Sequence, residues 1–253
     1  MRNDKLQQML TNAKTARRVG DLDEAARICN AILAVTPDSL DALHEAQGVA
    51  TRAGQLDAAA DFCRRVLVLA PASIAVIFRL ALLLNQKKHI TAAAYSFERV
   101  LMLEPHNYKA GHNAQIARLL ASHAAAAAAD WKAAITHASR AIRTAPARHI
   151  PWRELGLIAQ RAEHLDLARR ALTRAAILEL SDPETLNRLG YLAFGSHNID
   201  QAERYFRFGA IIAPSHANAH IGQAECLAWR GNVAAAIAAA ERAHAMAPDS
   251  AQI

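Results

Sequence analysis

Residues 74–105 read IAVIFRLALLLNQKKHITAAAYSFERVLMLEP. Two amphipathic stretches, IAVIFRLALLLNQ and ITAAAYSFERVLML, stand on either side of Lys87, Lys88 and His89. Each places apolar residues at the three- and four-residue spacing of one helix face. Pro105 closes the second stretch, since proline has no N–H to donate and its ring clashes with the preceding turn. The segment predicts helix, tight turn, helix.

The same unit recurs. Pro37, Pro71 and Pro105 are spaced 34 residues apart, as are Pro214 and Pro248. Ala25, Ala59, Ala93, Ala134, Ala168, Ala202 and Ala236 keep that step, with a single longer gap of 41 between Ala93 and Ala134. Seven units follow: 6–39, 40–73, 74–107, 108–148, 149–182, 183–216 and 217–250. The expected turns carry Gly20-Asp21, Gly54-Gln55, His197-Asn198 and Gly231-Asn232, residue types that stop one helix and cap the next. Small residues (Ala25, Ala175, Gly190, Gly209) recur where paired helices must approach closely.

On these residues the chain resembles the tetratricopeptide repeat family. The fifth unit shows it best: Trp152, Leu155 and Gly156 reproduce the family's W-x2-L-G opening, followed by Ala168 and Ala175. The sixth has Leu189-Gly190, Ala202, Phe206 and Pro214; the third has Leu80-Ala81, Ala93, Phe97 and Pro105. The resemblance implies an all-α fold, a right-handed superhelical α-solenoid of seven stacked helix-turn-helix repeats forming a single domain over 1–253. Gln47 and Gln115 depart from the pattern where a small residue is usual, so looser first-helix contacts are expected in repeats two and four. Leu180 stands in a proline slot, with Pro183 three residues later.

The fourth unit exceeds its neighbours by seven residues, about two helical turns, and contains six consecutive alanines, Ala124 to Ala129. Alanine is the best helix former, and the run lacks the Gly, Pro or charge of a flexible spacer. It reads as helix in a tall hairpin with little to pack on, Asp130 capping the second helix WKAAITHASRAI. The alternative puts the turn at Ser122-His123, with the second helix beginning early.

Composition agrees with a helical protein: 53% of the 253 residues are apolar and 5% aromatic, with only ten glycines and eight prolines. No stretch has signal-peptide or membrane-spanning length, so no membrane partner and a cytoplasmic location are expected. Cys29, Cys63 and Cys226 are odd in number and far apart, which argues against a disulfide framework or zinc site. Cys29 and Cys63 fall in equivalent slots of adjacent repeats, too far apart to bridge, and read as core thiols. His216 and His220 are four apart, but no carboxylate or cysteine joins them at ligand spacing. Phosphate-cradling glycine motifs, nucleophile elbows and H-E-x-x-H are missing, so no catalytic residue, metal or cofactor is expected. The net charge is +6, but Arg64, Arg65, Arg140, Arg143, Arg169, Arg170, Arg174, Arg204 and Arg207 lie on second helices among acids such as Glu98, Glu203 and Glu241. They read as a solvated outer face, without the stacking aromatics of a nucleic-acid groove.

The resemblance places the first helices along a concave groove that holds a partner protein or peptide. Groove-facing residues would include Phe78, Arg79, Lys109, His112, Asn113, Arg153, Asn187, Arg188 and Tyr191, with His44, Leu82 and Ile116. Arg79, Lys109, Arg153 and Arg188 would meet acidic groups on the partner. The Lys/Asn, Asn, Lys/Arg set of repeats that clamp chaperone tails is not supplied by any three successive repeats, and the slot of Asn113 holds Glu45, Arg79, Glu154, Arg188 and Gly222 elsewhere, not an asparagine ladder. The function expected is a non-catalytic interaction scaffold. An alternative is a substrate-recruiting repeat arm of a larger bacterial sulfotransferase or glycosyltransferase. Asp249 to Ile253 resembles the start of a further first helix, which would leave Ile237, Ala240 and Ala243 without cover, either for a homodimer contact or for more chain.

Overall fold

The structure is a computed structural model and describes residues 2–246. Pro248 and the expected start of a further helix at 249–253 lie outside those residues. The described residues form fourteen α-helices. The first six are α1 (Arg2–Val19), α2 (Leu22–Val35), α3 (Leu40–Arg52), α4 (Leu56–Leu69), α5 (Ile74–Gln86) and α6 (Ile90–Leu103). Then come α7 (Tyr108–Ala127), α8 (Trp131–Thr144), α9 (His149–Arg161) and α10 (Leu165–Leu178). Last are α11 (Pro183–Gly195), α12 (Ile199–Ile212), α13 (Ala217–Trp229) and α14 (Val233–Met246). This is an all-α solenoid of helix pairs, falling into two compact units, one ending at Leu120 and the other beginning at Ala121.

Within each unit hairpin partners pack on one another, as α3 does on α4, and second helices pack on the first helix of the next pair, as α4 does on α5. First helices also touch one another directly, α1 with α3 and α11 with α13. The hairpin turns repeat one backbone device. Gly20, Gly54, Lys88, Ala129, Glu163, His197 and Gly231 all have φ between 58° and 93°. Their positions follow the alanine ruler, including its single longer step. A residue in the left-handed region turns the chain out of one helix and releases its last carbonyls to the turn. Glycine does this without strain, whereas the four other residues carry a Cβ against a carbonyl. The next helix is then capped, as when Asp21 accepts from Glu24 N at 3.1 Å and Asn198 from Gln201 N at 3.2 Å.

The cores differ between the units. In the first, Ile32, Leu43, Val66, Leu80 and Phe97 fill the space between helices. In both, alanines bring helices close; in the second, a few large side chains are also set against glycine. A Cβ on Gly156 would lie 2.5 Å from Leu172 Cγ, and one on Gly190 or Gly222 would lie 2.5 or 2.3 Å from Phe206 Cε1. Phe206 is thus clasped between the bare backbones of α11 and α13. Cys29, Cys63 and Cys226 are buried free thiols, each pushed up to about 11 by burial.

The alanine run is helical to Ala127, which excludes a turn at Ser122-His123. All of the extra length goes into α7, 20 residues long, while α8 keeps the 14 residues of the other second helices. Asp130 caps α8, accepting from Ala133 N at 3.0 Å. Most of the run has little to pack on, as expected, with Ala124 and Ala127 to Ala129 exposed; Ala126 is the exception, buried in a cluster with Ala134, Ala138, Leu155 and Ile158. Small side chains let helices meet at short range, which is how Ala126 packs there. Gln47 and Gln115 are likewise buried, and Gln47 is tied to Thr51 and Arg79. Arg118 is fully buried, paired to Glu98 at 2.6 Å and stacked 4.2 Å over Tyr95.

Candidate functional site

The first-helix faces of the two units present different chemistry. In the first unit, Leu82 of α5 and Ile116 of α7 occupy the same repeat position 34 residues apart, and both are exposed. Leu120, one helical turn beyond Ile116, extends this apolar strip. Lys109, His112 and Tyr108 border it, with His112 stacked on Tyr108 at a centroid distance of 6.2 Å. Asn113 donates to Lys109 O at 2.8 Å. Arg79 is exposed and donates to Gln47 Oε1. Phe78 is half-buried, edge-on to Phe97 at 5.4 Å, and belongs more to the core than to the surface.

In the second unit this face is a charged network. Arg153 of α9 donates to Asp182 Oδ2 at 3.2 Å and to Glu154 Oε1 at 3.4 Å. Glu154 Oε2 lies 2.9 Å from His123 Nε2. Asp182 also accepts from Thr185 Oγ1 at 2.5 Å. Burial pushes the Asp182 carboxyl up, but the Thr185 hydroxyl and the Arg153 guanidinium outweigh it and hold it below the usual aspartate range. Arg188 donates to Glu184 Oε1 at 2.8 Å, and Glu184 Oε2 lies 3.8 Å from His216 Nε2. Tyr191 packs edge-on to Phe206 at 5.0 Å. Burial, and then the nearby Glu225, push its hydroxyl up to about 12; burial also raises Glu225. Beside the network His123, Ala126, Leu157, Ile158, Arg161 and Arg188 line a cavity of about 470 Å³.

Two expectations change here. Arg153 and Arg188, read from the sequence as cations awaiting a partner's acids, are engaged by this chain's own carboxylates. Asn187, expected to face the groove, is only 3% exposed. Arg153 Nε and Asn187 Oδ1, at equivalent positions of successive repeats, are buried and reach no hydrogen-bond partner. The acids escaped sequence reading for different reasons. Glu184 stands four residues before Arg188, a spacing legible on any helix. Asp182, at the N-cap of α11, and His123 of α7 reach Arg153 and Glu154 from outside α9, and nothing in the linear order signals that.

At the far end, Ile221, Val233 and Ile237 line an apolar cavity of about 430 Å³ on α13 and α14. Ile237 is exposed as expected, while Ala243 is fully buried. Among the described residues no helix is long and apolar enough to cross a membrane, and no three His, Cys, Asp or Glu side chains gather to hold a metal ion.

Comparison with known proteins agrees with this architecture. The sequence matches the tetratricopeptide repeat family over residues 10–74 and 187–251. The chain belongs to that family, which makes it, in general terms, a protein-interaction scaffold. Among solved structures it is similar to YrrB, described as a tetratricopeptide repeat protein with an unusual peptide-binding site, at 19% identity and a TM-score of 0.56, covering 75% of this chain and 94% of that one. It is also similar to a chain of the Naa15/Naa10 structure bound to HypK-THB, at 13% identity and a TM-score of 0.59, covering 97% of this chain and 38% of that one. At such identities the likeness is one of fold. A search of curated proteins finds no matching sequence.

Proposed function

We propose that the chain holds an extended segment of a partner protein along the first-helix face of its first unit. The observation carrying this reading is the exposed apolar strip that Leu82, Ile116 and Leu120 form at repeat-equivalent and adjacent positions of successive first helices. In the first unit the strip of Leu82, Ile116 and Leu120 suits apolar side chains of such a segment, and Lys109 beside it suits an acidic one.

The test is selection of binders from a displayed random peptide library, followed by fluorescence anisotropy on the best peptide. Leu82→Arg with Ile116→Arg weakens binding by at least about tenfold, since both contacts are replaced by desolvated charge. Helix content by circular dichroism stays unchanged, because both side chains are exposed. Undiminished affinity in the folded double variant would remove the first-helix face from the reading.

A further inference from the structure

The outer helices of the two units carry different charge. In the first, each arginine of α2, α4 and α6 is engaged. Arg27 pairs with Glu24 and Arg64 with Asp61, while Arg65 donates to Pro37 O and Arg99 to Pro71 O. In the second, Arg143, Arg170, Arg174, Arg204 and Arg207 are all exposed and make no ion pair among the described residues. The acids that might have met them are occupied elsewhere. Asp200 and Glu203 both bind Arg230, Asp166 lies 3.6 Å from Arg169, and Glu179 accepts from Ser181.

Apolar side chains share that face. Arg170, Arg174 and Ile177 follow one another at i, i+4 and i+7 along α10. The same slots on α12 hold Arg204, Phe208 and Ile211, with Arg207 beside them. Ile177 is 62% exposed, Ile211 67% and Phe208 40%. Leu180, just past α10, adds a fourth at 60%. On both helices the large apolar groups sit at the C-terminal end and the guanidinium groups one to two turns back.

We propose that α10 and α12 dock on an anionic phospholipid surface with the C-terminal ends of their outer faces foremost. At 1.5 Å of rise per residue, Arg174 lies about 4.5 Å and Arg170 about 10 Å behind Ile177 along the helix. Interfacial segments bury their apolar part about 5–10 Å into the headgroup and acyl boundary. When Ile177, Leu180, Phe208 and Ile211 reach the acyl region, the arginines therefore stand at the level of the phosphates. Their planar donor forks match phosphate oxygens, and a negatively charged leaflet attracts each of them. An acidic peptide would want arginines flanking an apolar cleft; here the apolar groups lie beyond the arginines at the helix ends. A nucleic acid would want several stacking aromatics, and Phe208 alone stands on this face.

The experiment is flotation of the full chain with vesicles of phosphatidylcholine alone, or with a quarter phosphatidylglycerol, at low and high ionic strength. Binding is expected only to the anionic vesicles, falling with salt. Reversing Arg170, Arg174, Arg204 and Arg207 to Glu lowers it by at least about tenfold. Ile177→Ser with Ile211→Ser lowers it roughly threefold or more at unchanged charge. Val68→Ser with Met102→Ser, equally exposed and in the equivalent slots of the first unit but without free arginines, leaves it unchanged. The proposal is overturned by a failure to float with anionic vesicles, or by loss of binding in the Val68 and Met102 control. It is also overturned if the isoleucine variant binds normally while the arginines retain duplex DNA or polyglutamate as tightly as vesicles, since the face is then a general polyanion site.

Discussion

The first and second units are built on one ruler and use it for different chemistry. Both place a left-handed residue at each hairpin turn and a small residue at each close helix approach. The first unit then fills its core with branched aliphatics and Phe97, leaves an apolar strip on its first helices, and pairs off its outer arginines. The second sets Leu172 and Phe206 against glycine, ties its first helices with ion pairs, and leaves Arg143, Arg170, Arg174, Arg204 and Arg207 without an ion pair among the described residues. The repeat thus specifies where helices stand and how closely they approach. It does not specify what their outward positions carry, which is why equivalent slots can hold Leu82 in one unit and Tyr191 in the other.

The largest test of this contrast lies in the cores. Phe97 and Phe206 occupy the same repeat slot, but Phe206 rests on the bare backbone of Gly190 and Gly222. Glycine has no side chain to move into a void, so Phe206→Ala is expected to cost about 4–5 kcal/mol. Phe97, among flexible leucines that can partly collapse, should cost about 3 kcal/mol on the same substitution. Chemical denaturation of both variants measures the difference; equal losses would show that the two cores relax alike.

A smaller effect separates the first-helix faces. Arg153→Ala should destabilise by about 1–2 kcal/mol at neutral pH, because it strips a charge-assisted partner from Asp182. The Asp182 carboxyl is depressed in the folded chain, so its contribution is fully present above the unfolded aspartate value of about 3.9. It is lost as pH falls through the lower folded value. Melting of the variant and the parent chain should therefore converge in acid. A gap that persists at low pH would mean that Arg153 acts by packing alone.

The smallest effect tests what the units share. Lys88 and Glu163 sit in left-handed turns, one in each unit, at φ 62° and 61°. Lys88→Gly and Glu163→Gly should each stabilise by about 0.5–1 kcal/mol, relief of the Cβ strain exceeding glycine's entropic cost. Thermal melting that moved in opposite directions for the two would break the equivalence of the turns.

The fold was legible because its signals are local. The 34-residue step of Pro37, Pro71 and Pro105, the alanine ruler, and the W-x2-L-G opening at Trp152 each report how a short segment bends or packs. The alanine run was legible as helix for the same reason, since propensity acts residue by residue. That Ala126 alone of the run would be buried was not, because it meets Ala134 and Leu155 only once the chain is folded. The site was half legible. Repeat register put Arg153, Asn187 and Arg188 on first helices, and it located Lys109 and His112 among exposed residues. It could not say that Arg153 would meet Asp182, 29 residues away, or that Phe78 and Tyr191 would turn their edges to Phe97 and Phe206.

By itself, then, the sequence determined the element type, the period, the turn positions and the family of this protein. These follow from steric and hydrogen-bonding preferences acting within a few residues. The tertiary structure alone decided which charges are consumed and which remain. Coulombic pairing depends on distances of a few ångströms between side chains that the chain order leaves far apart. Arg99 and Arg174 look alike in the sequence, each an arginine on a second helix with no acid three or four residues away. Only folding shows Arg99 donating to Pro71 O, 28 residues away, and Arg174 facing outward without a partner beside Ile177.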